Sequence, residues 1–308
     1  MRRNGEPKNL AASVRQKLRN RAKQQGEDFQ LVLTRYASER LLYRLSKSKH
    51  SEAFVLKGAM LFAAWTGQPL RPTRDVDLLG YGEPSAERLA AIFESICRTR
   101  VESDGVELDA SSVKVAAIRE DQEYGGQRIT LTARIDRASI SVQIDVGFGD
   151  VITPGAQEIA YPPLLDFPAP HLRAYTKESV VAEKLHAIVV LGMANSRMKD
   201  FHDLWRIAQA FEFDRALLLK AIEATFARRQ TEIPEAFPSG LTDEFADYEP
   251  HAVQWKAFLA RSSIAAADAA PLHDVLRGLC RFTAPVFRAE ADRDTKLPGR
   301  WAWQTGWK

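Results

Sequence analysis

The spacing of apolar residues changes twice along the chain, and this change constrains the possible folds most. Residues 9–46 and most of the chain after residue 177 repeat apolar positions at helical spacing. Between residues 106 and 151 the repeat becomes two, which is typical of strands whose two faces differ in polarity. The pattern predicts an α/β (α+β) core with a small mixed sheet, flanked by N-terminal helices and a C-terminal helical domain.

Two breaks in the pattern indicate where domains begin and end. Gly26 interrupts the first helical stretch, so residues 1–50 are expected to form basic helices packed on the core. Prolines concentrated in residues 161–170 disfavour regular structure there. We therefore predict an α/β core at residues 51–165 and a helical domain at residues 166–308.

Composition narrows the class of protein. Hydrophobic residues make up 45% and charged residues 27%, which are ordinary values for a globular chain. No apolar run is long enough for a transmembrane helix, and the N-terminus lacks the apolar core of a signal peptide. Cys97 and Cys280 are the only cysteines. We expect a cytoplasmic protein without a disulfide framework.

Positive charge is concentrated at the N-terminus. Residues 1–50 hold 13 Lys or Arg and 4 Asp or Glu, whereas the remainder holds 30 and 36. A basic segment beside an acidic body suits binding of a polyanion such as RNA. A solvated helix face explains the same pattern equally well.

Three aspartates suggest a divalent metal site. Asp75 and Asp77 are two apart on a predicted strand, so both side chains leave the same face. Asp145 alternates with apolar residues on another predicted strand. Clustered carboxylates repel unless a cation lies between them, and Mg²⁺ prefers such oxygen ligands. An Asp-x-Asp surface turn is the ordinary alternative, but Gly58 at a helix start upstream would let phosphates approach the backbone and makes the combination more specific.

Several segments resemble one known family. Residues 54–62 and 71–79 look like the first motif of the AbiEii/AbiGii abortive-infection toxins, which belong to the DNA polymerase β-like nucleotidyltransferase superfamily. Residues 144–150 resemble the family's later acidic strand. Residues 182–188 and 197–204 resemble its two C-terminal helical motifs.

The resemblance implies roles for matching positions. Asp75 and Asp77 would hold the catalytic metals, and Asp145 would complete the triad or act as a base. Lys184 and Asp200 match positions that the family treats as catalytic or nucleotide-contacting. The candidate nucleotide-binding residues are Lys57, Gly58, Thr73, Arg74, Lys184 and Arg197. One departure concerns Ala59, because the superfamily usually has Gly-Ser here and its hydroxyl touches a phosphate. Thr73 or a backbone N–H would have to replace that contact.

The implied function is Mg²⁺-dependent transfer of a nucleoside monophosphate from NTP, with Mn²⁺ as an alternative metal. RNA, with the tRNA 3′ end favoured, would be the acceptor, translation arrest the outcome and an antitoxin the partner. A small molecule or a protein hydroxyl is an alternative acceptor. A nucleotide-binding module with degenerate chemistry is a third hypothesis, which Ala59 supports.

Other polar residues allow structural explanations. Lys184 lies on an otherwise apolar helix row, so it either extends to solvent or reaches a phosphate. Arg197 with Asp200, and Lys199 with Asp203, have the spacing of helix ion pairs. The default role of Glu39, Arg40 and Arg44 is buried pairing that docks the N-terminal helices, and that of His186 and His202 is packing. The C-terminal residues 300–308, with three tryptophans, are expected to pack as a strap on the helical domain.

Overall fold

The protein is described by a computed structural model that covers residues 9–118, 126–262, 264, 269–287 and 299–308. Its helices are α1 (Leu10–Gln25), α2 (Phe29–Lys47), α3 (Met60–Thr66), α4 (Ala86–Cys97), α5 (Lys177–Leu191), α6 (Met198–Ala210), α7 (Arg215–Arg228), α8 (Asp243–Asp247), α9 (Glu249–Arg261) and α10 (Leu272–Thr283). Its strands are β1 (Phe54–Lys57), β2 (Asp75–Gly80), β3 (Glu107–Ile118), β4 (Gly126–Ile135), β5 (Ala138–Phe148), β6 (Gln157–Ala160), β7 (His171–Ala174), β8 (Phe213–Asp214), β9 (Arg300–Ala302) and β10 (Gly306–Trp307).

The chain forms two compact units. The first contains Met1–Gly149 and Gln157–Ala174, and the second contains Asp150–Ala156 and Tyr175–Lys308. The segment Asp150–Ala156 therefore leaves the first unit, contributes to the second and returns before the final crossing at Tyr175.

A seven-stranded sheet in the order β3-β4-β5-β2-β1-β7-β6 forms the centre of the first unit. The pairs β2–β5 and β1–β7 are parallel, and the others are antiparallel. This confirms the predicted α/β class with a mixed sheet. Strands β6 and β7 were not predicted, because each has four residues and they flank the proline-rich segment that we expected to lack regular structure.

The two faces of β4 and β5 differ in polarity, as the period of two predicted. On one face the central side chains are buried and apolar, including Ile129, Leu131, Ile144 and Val146. Helices α1, α2 and α4 contact these strands. The other face carries the polar residues, among them Asp145. The hydrophobic core therefore lies on one side of this part of the sheet and leaves the opposite face available for polar chemistry.

Helices α1 and α2 begin and end where the sequence predicts. Asn9 and Asp28 cap their first turns by accepting hydrogen bonds from Ala12 N and Leu31 N. Gly26 ends α1 in the left-handed conformation, with φ of 65°. The break between the two helices thus begins at Gly26, as expected, and ends at the Asp28 cap.

The predicted buried pairing on α2 is confirmed, and the same charged residues contact the rest of the first unit. Glu39 and Arg40 form a 2.7 Å pair in which both side chains are fully buried. Glu39 also accepts from Leu164 N at 2.7 Å, and burial raises the pKa of its carboxyl to about 7. Arg44 donates two hydrogen bonds to Asp104, at 2.8 and 3.0 Å.

The second unit is mainly helical, with a three-stranded sheet in the order β10-β9-β8. Trp301 is fully buried and contacts Phe282, and Trp307 stacks on the same ring at 6.2 Å. The C-terminal strap is thereby confirmed as packing. Within the residues that the structure describes, no helix combines the length and apolarity that crossing a membrane requires.

Candidate active site

Strand register brings two of the predicted aspartates side by side. Asp77 on β2 pairs directly with Asp145 on β5 in a parallel ladder, and neighbouring strands lie about 4.8 Å apart. Asp75 precedes Asp77 by two residues on the same strand, so its side chain leaves the same face. Asp75 faces Gln143 on β5. Three carboxylates from two strands therefore share one face of the sheet.

The row that contains Asp77 and Asp145 continues onto both flanking strands. Lys57 on β1 is in register with Asp77, and Arg128 on β4 is in register with Asp145. Because register partners project to the same face, the order across four strands is cation, carboxylate, carboxylate, cation. Cations at both ends reduce the repulsion between the central carboxylates.

Arg128 holds both oxygens of Asp145. Its Nε donates to Oδ1 at 2.8 Å and its Nη2 donates to Oδ2 at 2.8 Å. Gln143 Nε2 makes a longer contact of 3.4 Å with Oδ1. The guanidinium therefore grips the carboxylate with two parallel, charge-assisted hydrogen bonds, which is the strongest geometry available to this pair.

Gly58 gives Asp77 the space it occupies. Its φ is 74°, a left-handed conformation that favours glycine. A Cβ at residue 58 would lie 2.0 Å from Asp77 Oδ2 and 2.7 Å from Asp77 Cβ. We predict Gly58 from the approach of phosphates at a helix start, and it lies immediately before Ala59, the N-cap of α3. The structural need for glycine comes from the neighbouring carboxylate.

The chemistry of these side chains fits a hard divalent cation. All three aspartates offer oxygen ligands on one face, and Gly58 leaves Asp77 room. As the side chains stand, no three His, Cys, Asp or Glu residues in the described part of the chain converge closely enough to hold one ion. For Asp145 the reason is Arg128, because both carboxylate oxygens of Asp145 are turned toward the guanidinium. Metal binding at this row would require a change in the Asp145 side chain.

Two further predicted residues precede β2. Thr73 makes a long 3.5 Å hydrogen bond from its hydroxyl to the backbone oxygen of Asp75, and Arg74 is exposed. The Thr73 hydroxyl thus lies at the start of the strand that carries the first two aspartates, where we expected a substitute for the missing serine at Ala59.

Lys184, Arg197 and Asp200 lie in the second unit and form a charge cluster with Asp203. Lys184 Nζ donates to Asp200 at 2.7 Å and to Asp203 at 2.8 Å, while Arg197 pairs with Asp200 at 2.7 Å. Both carboxylates are 1% exposed, whereas Arg197 is 39% exposed. Lys184 therefore points to carboxylates and not to solvent, and the expected Arg197–Asp200 pair is confirmed. Our sequence interpretation underrated Asp203, which shares the ammonium equally.

Opposing effects set the ionisation of this cluster. Burial acts to lower the pKa of Lys184, but Asp200 and Asp203 outweigh it and raise that pKa. Burial acts to raise the pKa of Asp200, but Lys184 and Arg197 outweigh it and lower that pKa. Lys184 and Asp200 are consequently both charged at neutral pH.

Another polar network was missed by sequence reasoning. Arg229 Nη2 donates to Asp150 at 2.8 Å and lies 3.7 Å from Glu183, which accepts from the Tyr175 hydroxyl at 2.9 Å. Asp150 stands in the segment Asp150–Ala156, so the network fixes that segment within the second unit. In the sequence, only Asp150 itself, which follows Gly147 and Gly149, indicated a polar contact here.

The two histidines of the helical motifs differ in their surroundings, since His186 has polar contacts and His202 lies among aromatic rings. His186 Nε2 lies 2.9 Å from Thr231 Oγ1, and its Nδ1 lies 3.2 Å from Arg229 Nη1. Burial and the adjacent Arg229 lower its pKa to about 4, so the ring is neutral. His202 is 1% exposed among aromatic rings. Within the described residues neither ring nitrogen makes a hydrogen bond, although Nδ1 lies 3.7 Å from Asp203 Oδ1.

Comparison with known proteins identifies the class. A family model described as "Nucleotidyl transferase AbiEii toxin, Type IV TA system" matches residues 40–281. No curated protein matches the chain significantly. Among solved structures, JHP933 from Helicobacter pylori is 11% identical, with a TM-score of 0.48 over 81% of this chain and 88% of that one. A candidate nucleotidyltransferase from H. pylori is also 11% identical, with a TM-score of 0.46 over 81% and 91%.

The matched family, which covers the seven-stranded sheet and nearly all of the helices of the second unit, makes this protein a nucleotidyltransferase. The chain belongs to the AbiEii toxin family of type IV toxin–antitoxin systems. Membership confirms the resemblance stated from the motifs, and it implies an NTP substrate and an antitoxin partner. It does not itself assign a role to any residue.

Proposed function

We propose that the protein uses Asp75, Asp77 and Asp145 to transfer a nucleoside monophosphate from NTP to an RNA acceptor in a Mg²⁺-dependent reaction. The observation that supports this most is the direct register of Asp77 with Asp145, with Asp75 on the same face. Residues far apart in sequence thereby supply three oxygen donors to one small area of the sheet.

Each aspartate has a distinct task in this proposal. Asp75 and Asp77 bind the cations that carry the triphosphate, and Asp145 shares with Asp77 the cation that activates the attacking acceptor hydroxyl. Bound Mg²⁺ supplies positive charge to the phosphates and a lowered pKa to that hydroxyl. Gly58 supports the reaction by leaving room for the Asp77 carboxylate. Lys57, in register with Asp77, and Thr73, next to Asp75, are the candidate nucleotide contacts. Lys184, Arg197 and Asp200 are proposed to assist on the family resemblance alone.

RNA is the proposed acceptor because of charge on the first helix. Over its sixteen residues α1 has no Asp or Glu, and its exposed cations include Lys17, Arg19 and Lys23. Such a surface attracts phosphate backbones. We propose the tRNA 3′ end in particular, with arrest of translation as the consequence and neutralisation by the antitoxin that the family implies.

Transfer of label from each α-³²P-NTP to purified tRNA tests the proposal. Because a lost metal ligand removes several kcal/mol of transition-state stabilisation, Asp75→Asn and Asp77→Asn should reduce transfer by about 100-fold or more. The exposed Asp166 offers a matched control, since Asp166→Asn makes the same change away from the row. Full activity in either active-site variant would refute the mechanism.

Two observations favour a second candidate function, a nucleotide-binding module without transfer activity. Ala59 lacks the hydroxyl that the superfamily usually supplies, and Arg128 occupies both oxygens of Asp145. Calorimetry that shows Mg²⁺-dependent NTP binding, with no pyrophosphate released in the presence of RNA, would favour this candidate. Label that survives ribonuclease would indicate a small-molecule or protein acceptor.

A further inference from the structure

The grip of Arg128 on Asp145 has a consequence for metal binding. Both oxygens of Asp145 accept hydrogen bonds from one guanidinium at 2.8 Å. A cation that shares Asp145 with Asp77 must take at least one of these oxygens. Arg128 and the cation therefore act on the same carboxylate, and the positive charge of the guanidinium opposes a second positive charge beside it.

The charges in the row explain why the protein has an arginine here. Asp77 and Asp145 face each other on adjacent strands, and two unscreened carboxylates at that spacing would destabilise the sheet. Arg128 is 44% exposed and reaches Asp145 from the neighbouring strand, while Asp145 is only 20% exposed. The guanidinium thus neutralises the Asp145 carboxylate from the more exposed side of the pair.

A second arginine on β4, Arg134, lacks the two short hydrogen bonds that Arg128 makes to one carboxylate. Arg134 is 52% exposed and pairs with Asp109 at 3.3 Å and with Glu107 at 3.9 Å. These looser contacts are typical of surface ion pairs. Arg128 differs in that its partner belongs to the proposed metal site and in that both hydrogen bonds are short.

We propose that Arg128 is an internal counter-ion that holds Asp145 in the metal-free protein and sets the affinity for the divalent cation. Arg128 is a positioning residue in this scheme, since it acts through Asp145. The inference rests on the proposed function, because it takes Asp145 to be a ligand. It adds that entry of the cation is coupled to release of Asp145 from Arg128.

Mn²⁺ titration of the nucleotide-free protein, followed by electron paramagnetic resonance, tests this coupling without relying on activity. Arg128→Gln should bind Mn²⁺ about five- to tenfold more tightly than wild type, the range expected when one competing charge pair is removed. Arg134→Gln makes the same charge change on the same strand and should alter the affinity by less than about twofold, because exposed charges are screened at physiological salt. Equal or weaker binding by Arg128→Gln, including no binding by either protein, would overturn the proposal.

Two additional variants separate the coupling from other effects. In the Asp145→Asn background, Arg128→Gln should no longer tighten Mn²⁺ binding, because the contested oxygens have lost their charge. Arg128→Lys keeps the charge but not the two-pronged geometry, so its affinity should fall between those of wild type and Arg128→Gln. Tighter binding by Arg128→Gln that persists without Asp145 would contradict the mechanism. The transfer assay with Asp77→Asn reports separately on the proposed function.

Discussion

Replacing Gly58 by alanine tests how closely the backbone and the Asp77 carboxylate are fitted. The substitution has two effects that can be separated. An L-residue in the left-handed region at φ of 74° costs about 1 kcal/mol. The new Cβ would also lie 2.0 Å from Asp77 Oδ2 and 2.7 Å from Asp77 Cβ, so a rotation of the carboxylate alone cannot relieve the clash. Moving both strands apart should add about 1–3 kcal/mol, as overpacking does elsewhere.

Gly67 provides the matched control. Its φ is 77°, and nothing lies within 4 Å of the position that its Cβ would take. Urea denaturation should show a loss of about 1 kcal/mol for Gly67→Ala and a clearly larger loss for Gly58→Ala. Since Asp77 is displaced, Mn²⁺ affinity should fall about tenfold or more in Gly58→Ala alone. Equal losses of stability, with unchanged metal affinity in both variants, would refute the reasoning.

Three other substitutions have definite expected outcomes. Lys184→Met leaves the carboxylates of Asp200 and Asp203 buried without their ammonium partner, so it should lower the free energy of unfolding by about 3–5 kcal/mol. Wild-type stability of this variant in urea would show that the cluster does not stabilise the fold. His202→Leu removes a buried ring whose nitrogens make no hydrogen bond within the described residues and should stabilise the protein by about 1 kcal/mol. A lower melting temperature would contradict this. Burial raises the pKa of Glu39 to about 7 in the folded state, so its contribution to stability is present below pH 4.5 and lost as pH rises toward 7. Glu39→Gln should make stability depend less on pH in this range. An unchanged pH dependence of stability would exclude Glu39 as its source.

Much of the fold could be predicted because local chemistry determines it. The ends of α1 and α2 follow from Asn9, Gly26 and Asp28, which act within one turn of the helix. The alternation in β4 and β5 reflects burial of one face. By contrast, β6 and β7 are too short to show a period, and their place in the sheet depends on pairing with β1, which no local pattern reveals.

The candidate site, too, could be predicted only in part from the sequence. Alternation within a strand indicates which face Asp75, Asp77 and Asp145 share, but their roles remain proposals. The contact between Arg128 and Asp145 depends on strand register, which is set at the far end of the hairpin. There Ile135 pairs with Ala138 across a two-residue turn that begins at Asp136, with φ of 55°. That turn was the signal from which the opposing arginine could have been found.

Asp203 illustrates a limit of helix spacing as a guide. Its distance in sequence from Lys199 suited an ion pair along the same helix. In the structure its carboxylate is buried and accepts from Lys184 on α5 instead. A buried carboxylate takes the partner that packing supplies, and packing between helices is not encoded in the spacing within one of them.

The central claim is that three aspartates gather around one divalent site. Anomalous diffraction from crystals grown with Mn²⁺ and a non-hydrolysable NTP tests it most directly. The account predicts a manganese peak within about 2.0–2.4 Å of oxygens from Asp77 and Asp145, with Asp75 coordinating nearby and at least one Arg128–Asp145 hydrogen bond broken. A nucleotide-bound manganese ion placed elsewhere, while Arg128 still holds both oxygens of Asp145, would contradict it.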